Sequence, residues 1–241
     1  MFRHIGETRT LKHNLRIASL LSFVAGVVNI VGFLSVQRLT TNVTGHFAFL
    51  IDEVYKLNFW LAFVFFLYIF SFFLGSFFSS LLVEIISRRN ERFMYLIPTG
   101  IEAFILLLVA LLESRFVNSN PDLIACSLLF AMGLQNSLVT SISNAVVRTT
   151  HLTGLFTDLG IELSQLFFFR KTEQKKKLNS SIRLRLTIIA FFFLGGVLGG
   201  MLYARIQLFS LIVPAALLFN GMIYDYVKFK VILLRKRINR A

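Results

Sequence analysis

The chain has 241 residues, of which 56% are hydrophobic and only 15% charged, with 28 phenylalanines and a formal net charge of +13; its mean hydropathy is +0.74. That apolar content excludes a water-soluble domain, and the apolar residues fall in blocks approaching the roughly 20 needed to cross about 30 Å of hydrocarbon. No alternating outward-facing pattern of a β-barrel is present, which leaves an all-α membrane protein whose first partner is the lipid bilayer.

In chain order, six transmembrane helices are expected, at about Leu15 to Val36, Asn58 to Ile86, Phe93 to Leu112, Leu123 to Val139, Leu186 to Ala204 and Leu208 to Ile223. The basic residues are placed unevenly between them. Arg3, Arg9, Lys12 and Arg16 precede the first span, and Arg88, Arg89 and Arg92 follow the second. Arg148, Arg170, Lys171, Lys175, Lys176, Lys177, Arg183 and Arg185 lie between the fourth and fifth. Lys228, Lys230, Arg235, Lys236, Arg237 and Arg240 follow the sixth. The alternate loops hold only Arg38, Lys56, Arg115 and Arg205. Short positive loops stay in the cytoplasm, so both termini are expected inside a multi-pass protein of the inner (plasma) membrane. The positive charge is thereby explained as topology and attraction to anionic headgroups, and no nucleic-acid partner is implied.

The basic start runs into a spanning segment without a convincing cleavage site, so the first helix reads as its own insertion signal. The single cysteine, Cys126, lies inside a span; it excludes an intramolecular disulfide and a multi-cysteine metal site. Asn42-Val43-Thr44 is formally a glycosylation sequon, but its motif context favours a backbone role.

Two short polar signatures recur in the same order. Gly26-Val27-Val28-Asn29 is followed by Thr40-Thr41-Asn42-Val43-Thr44-Gly45, and Gly133-Leu134-Gln135-Asn136 by Thr149-Thr150-His151-Leu152-Thr153-Gly154. The match continues: Phe72-Phe73-Leu74-Gly75-Ser76 corresponds to Phe192-Phe193-Leu194-Gly195-Gly196, and Leu96-Ile97-Pro98 to Ile212-Val213-Pro214. The chain therefore divides into repeats of three spans, 1–117 and 118–241, within one membrane domain. An odd number of spans makes the second repeat enter from the opposite side, so the repeats are inverted. The segment after each threonine motif, 40–51 and 149–169, reads as a short re-entrant or broken helix. A full crossing by the second would put Lys175 to Lys177 outside, against the charge rule. Non-helical backbone at membrane depth needs side-chain partners, which Thr, Asn and His supply.

The two motifs, with Thr40-Thr41-Asn42-Val43-Thr44-Gly45-His46 in the first half and Val147-Arg148-Thr149-Thr150-His151-Leu152-Thr153-Gly154 followed by Thr157-Asp158-Leu159-Gly160 in the second, resemble the YoaK-like family of bacterial multi-pass membrane proteins. The resemblance covers nearly the whole chain. The family is catalogued as a domain of unknown function and has been labelled a small-molecule permease, so the resemblance implies a membrane location and carries over no substrate or catalytic residue.

Asn29 and Asn136 occupy equivalent places in the first and fourth spans. Each serves equally as an interhelical hydrogen bond, typically worth about 1 kcal/mol in membranes, or as a substrate contact. Thr40, Thr41, Thr44, Thr149, Thr150 and Thr153 would individually read as helix caps; two matching triplets point to a shared role. With Asn42, Gly45, His151 and Gly154 they complete the candidate substrate-binding set. His46 matches Leu155 and His151 matches Asn42, so the histidines do not form a metal site by spacing, and no cofactor is implied. Asp158, Glu162 and Glu102 are the ionisable candidates for proton coupling, because acids at membrane depth are costly unless paired, solvated or functional. Glu53 matches Glu162, and Phe49 stands opposite Asp158. The glycines and serines at 75–80 and 195–200 read as close helix packing.

These readings make a non-enzymatic small-molecule transporter working by alternating access the leading expectation, with a homo-oligomer compatible. Two alternatives stay open. One is an intramembrane enzyme using His46, His151, Asp158 and Glu162, which requires those side chains to converge. The other is a non-transporting scaffold or lipid-binding protein, which requires a tightly packed motif region without a polar cavity.

Overall fold

A computed structural model describes residues 10–90, 93–168 and 172–238. Arg3, Arg9, Arg92, Arg170, Lys171 and Arg240, on which part of the loop-charge reading rests, lie outside the described residues. The helices are α1 (Leu11–Val36), α2 (Val43–Tyr55), α3 (Phe59–Asn90), α4 (Leu96–Ala110), α5 (Ser114–Ser119), α6 (Pro121–Ser143), α7 (Leu152–Phe168), α8 (Thr172–Ile206) and α9 (Ile212–Ile238), with a 3-10 turn over Gln207–Leu211 before the last. No strand occurs among the described residues.

Four stretches are long and apolar enough to cross a membrane: Leu11–Val36, Phe59–Arg89, Pro121–Ser143 and Thr172–Asp225, the last running from α8 through the 3-10 turn into α9. The third expected span is shorter than the sequence suggests. Tyr95 and Leu111 flank α4, whose 15 residues reach about 22 Å at 1.5 Å per residue, less than the hydrocarbon thickness. The basic stretch before the fifth span is also not a loop. Thr172–Ile206 is a single helix of 35 residues, because Lys, Arg, Glu, Gln and Leu in its first half are all good helix formers.

Helices α1 and α6 bury most of their surface, whereas α3 and α8–α9 leave most of theirs exposed. The central pair supplies much of the core: Leu21, Val24, Val28 and Val31 from α1, and Leu128, Met132, Leu138 and Ile142 from α6, are all buried. On the outer face of α3, Phe63, Phe66, Phe70, Phe73 and Phe77 stand half-exposed at steps of three and four. Successive rings lie 5.9 to 6.3 Å apart, as suits an apolar, lipid-facing surface.

The largest interfaces are α1 against α8 and α3 against α6, and glycine makes both. A Cβ on Gly26 would run into the carbonyl of Phe192, and one on Gly195 into that of Phe23. In the same way, a Cβ on Gly133 would strike the Phe72 carbonyl and one on Gly75 that of Phe130. Backbones this close gain dispersion contact that larger residues would forbid. Residue numbers rise together along each pair: Phe23 meets Gly195 and Ile30 meets Gly199, while Tyr68 meets Asp122 and Phe72 meets Gly133. Both pairs therefore run parallel.

Helices α1 and α6 end alike. Gln37 (φ 53°) and Asn144 (φ 53°) take the left-handed cap conformation, a common way to stop a helix and reverse the chain. The loops that follow do not run over the surface. Each turns back to the level of Asn29 or Asn136, about 10 Å short of its helix end at 1.5 Å per residue. From that depth α2 and α7 start outward, and each packs on the next long helix, α2 on α3 and α7 on α8.

Candidate functional site

The two loops are anchored by matching bonds. The Thr41 hydroxyl donates to Asn29 Oδ1 at 2.7 Å, and the Thr150 hydroxyl to Asn136 Oδ1 at 2.9 Å. One residue earlier the partners differ. The Thr40 hydroxyl donates to the Val28 carbonyl at 3.2 Å, its side chain filling the notch left by Gly32. Thr149 instead accepts from Gln135 Nε2 at 3.2 Å, and that same amide nitrogen reaches the Leu21 carbonyl of α1 at 3.0 Å. Val28 and Gln135 occupy matching places before Asn29 and Asn136, so a main-chain acceptor in α1 gives way to a side-chain donor in α6, and the threonine hydroxyl changes from donor to acceptor. Thr40 and Thr149 are fully buried; Thr44 and Thr153 are exposed.

The helix starts diverge. Asn42 Oδ1 accepts from the Gly45 N–H at 2.9 Å, a conventional N-cap. His151 stands in the matching place, and its ring lies against Gly154; no bond from it to the Gly154 N–H occurs among the described residues. In α2, His46 is buried, with Nε2 2.6 Å from the Leu39 carbonyl and its ring 5.0 Å from that of Tyr68. Burial is the main force holding its imidazole below the ordinary histidine value; the Leu39 bond opposes this and Arg38 adds to it.

Two charged clusters flank these loops. Arg38 Nε donates to the Tyr68 hydroxyl at 3.1 Å, Tyr68 donates to Asp122 Oδ1, and Arg38 lies 3.9 Å from the same carboxylate. On the other side, Arg185 grips Glu162 through Nε and Nη2 at 2.8 and 2.9 Å, and Asp158 through Nη1 at 2.8 Å. Ser181 donates to Glu162 at 2.6 Å. Asp158 and Glu162, one turn apart on α7, are thus brought together by an arginine from α8. Neither Arg185 nor the Arg38–Tyr68–Asp122 group was legible as a site in the sequence. The arginines read as topology signals, and Tyr68 lay within a phenylalanine-rich run; its hydroxyl was the one available hint.

A polar cavity of about 440 Å³ opens beside the second cluster, lined by Arg148, His151, Gly154, Asp158, Ser181 and Arg185 among others. The matching positions of the first half carry aromatic rings instead. Counting from the matched threonines, Phe49 corresponds to Asp158; counting from Phe-Phe-Leu-Gly, Phe65 corresponds to Arg185. The Phe49 and Phe65 rings stack at 5.2 Å where the second half has an ion pair. Asn29 faces a separate apolar groove between α1 and α8 that also includes Gly26, Gly196 and Gly200. Glu102 is fully buried on α4, and neither of its carboxyl oxygens has a hydrogen-bond partner among the described residues.

The candidates thus fall into distinct groups. Asn29 with Thr40 and Thr41, and Asn136 with Thr149 and Thr150, form two internally bonded anchors. His151, Gly154 and Asp158 share a cavity, His46 packs on α3, and Glu102 stands alone. The four residues of the enzyme alternative are divided between the His46–Tyr68 packing and the Arg185 side. No group of three or more His, Cys, Asp or Glu side chains suited to a metal occurs among the described residues.

Long apolar helices with polar loops folded back among them define a multi-pass α-helical membrane protein. A family model described as "Protein of unknown function (DUF1275)" matches residues 17–224, and the chain belongs to that family. It is similar to the UPF0700 transmembrane protein YoaK of Bacillus subtilis (strain 168), with 27% identity over 213 residues covering 87% of this chain and 93% of the relative. No solved structure matches it.

Proposed function

We propose that the protein is a small-molecule transporter of the inner (plasma) membrane, built from inverted three-span repeats, 1–117 and 118–241, that alternate access to a site between them. The observation that carries this reading is the duplicated anchor: Thr41 on Asn29 and Thr150 on Asn136, each holding a loop at depth. The parallel pairing of α1 with α8 and of α3 with α6 supports inversion. It makes the first long helix of each half run with the second long helix of the other. The positive loops support cytoplasmic termini, and the short α2 and α7 fit re-entrant segments.

In this reading the first half presents a closed face, packed by Phe49, Phe65, His46 and Tyr68, and the second half an open one. Asn29, Asn136 and the threonine pairs release their bonds in turn as the halves rock. Asn42 and Gly45, His151 and Gly154, with Thr44 and Thr153 at the exposed starts of α2 and α7, complete the substrate-contacting set. Asp158, Glu162 and Glu102 are the proton-coupling candidates, Glu102 because its carboxyl group is buried without a partner among the described residues. Full burial of Thr40 and Thr149 also suits a non-transporting scaffold, so the test must separate the two.

Thr44 and Thr153 are matched and exposed. In a Cys126→Ser background, Thr44→Cys is expected to react with a membrane-impermeant maleimide from outside and Thr153→Cys only from inside. Labelling of both from one face overturns the inverted arrangement. Absence of flux by folded protein in liposomes, across anionic, cationic and neutral solute classes, overturns transport.

A further inference from the structure

We propose that the cavity at the start of α7 binds a small oxyanion, a solute or headgroup bearing carboxylate or phosphate, with Arg148 as its main counter-charge and His151 as a second polar contact. This names the substrate class of the transporter reading and rests on it. Arg148 lines the cavity, and neither its side chain nor that of His151 forms a hydrogen bond or ion pair among the described residues. Arg185, by contrast, spends three N–H groups on Glu162 and Asp158. The cavity therefore presents one unspent guanidinium, whose planar fork suits an oxyanion.

The comparison with the first half makes this specific. There Asn42 caps its own helix start, and stacked phenylalanines occupy the space. In the second half no side chain bonds the Gly154 N–H among the described residues, and the phenylalanine pair gives way to Asp158 and Arg185 beside the cavity. Uncapped N–H groups beside Arg148 add to its attraction for negative charge. Asp158 sets the opposing balance. Its Oδ2 holds Arg185 Nη1, so Asp158 both adds negative charge to the cavity and occupies one of the N–H groups that Arg185 does not give to Glu162.

Opposite effects of two substitutions follow. The full-length protein, in phosphatidylcholine nanodiscs at constant ionic strength, would be titrated with sodium succinate and sodium phosphate while thermal unfolding is followed. Saturable stabilisation by at least one anion is expected, with choline chloride inert. Arg148→Gln is expected to weaken binding about tenfold or more, and Asp158→Asn to tighten it severalfold by removing a negative charge from the cavity and freeing Arg185 Nη1. Nanodiscs containing phosphatidylglycerol distinguish the source. If stabilisation appears only with that lipid and is lost in Arg148→Gln, the oxyanion is a headgroup; if free anions suffice, it is a solute. No saturable effect from either source, or equal binding by wild type and Arg148→Gln, overturns the proposal. Binding without flux would leave this site standing and remove the transporter reading instead.

Discussion

At the residue scale, the informative groups are those whose bonds recur. A lone threonine near a helix end says little, but Thr41 and Thr150 each donate to an asparagine at the same place in a preceding helix. Side-chain hydrogen bonds of this kind are worth about 1 kcal/mol in membranes. Thr150→Val and Asn136→Leu are each expected to destabilise by about that amount, and the double substitution by clearly less than their sum. A double-mutant cycle on unfolding in mixed micelles measures this; strictly additive losses would show that the pair does not act as a unit. These residues were legible because the sequence repeats them. Arg38, Tyr68 and Asp122 were not, since Tyr68 lies 30 residues from Arg38 and 54 from Asp122. Only the fold brings them together.

At the element scale, the long helices could be read from apolar runs, because lipid demands continuous helix through the hydrocarbon. What hydropathy did not reveal was where helices continue into polar sequence, as in the first half of α8, or stop short, as in α4. Neither is governed by apolar content alone. The glycines give the sharpest contrast between positions that look alike in sequence. At Gly133 a side chain would meet the Phe72 carbonyl, while at Gly160 nothing lies within 4 Å. Gly133→Val should force α3 from α6 and cost about 1–3 kcal/mol or more. Gly160→Ala should stabilise α7 by about 0.5–1 kcal/mol. Thermal unfolding in detergent, read with the folded yield, distinguishes them. Equal tolerance at both sites would mean that the α3–α6 contact is looser than described.

At the scale of the whole molecule, the long interfaces join one part of the chain to the other. Helix α1 rests on α8, and α3 and α4 rest on α6; the shorter α2 and α7 pack on their own neighbours. The recurring motifs could be seen in the sequence, but which helix meets which could not, because matching motifs say nothing about partner choice. The parallel pairing has a consequence for how the protein can be assembled. If the chain is opened at the short α5, each fragment lacks the surface that covers its longest helices, much as either strand of a two-ply cord lacks the other. Fragments 1–117 and 118–241 expressed singly should be degraded or aggregate, while co-expression should yield a complex that co-purifies. A well-folded single fragment would show that the halves are independent units resting side by side rather than two parts completed by each other.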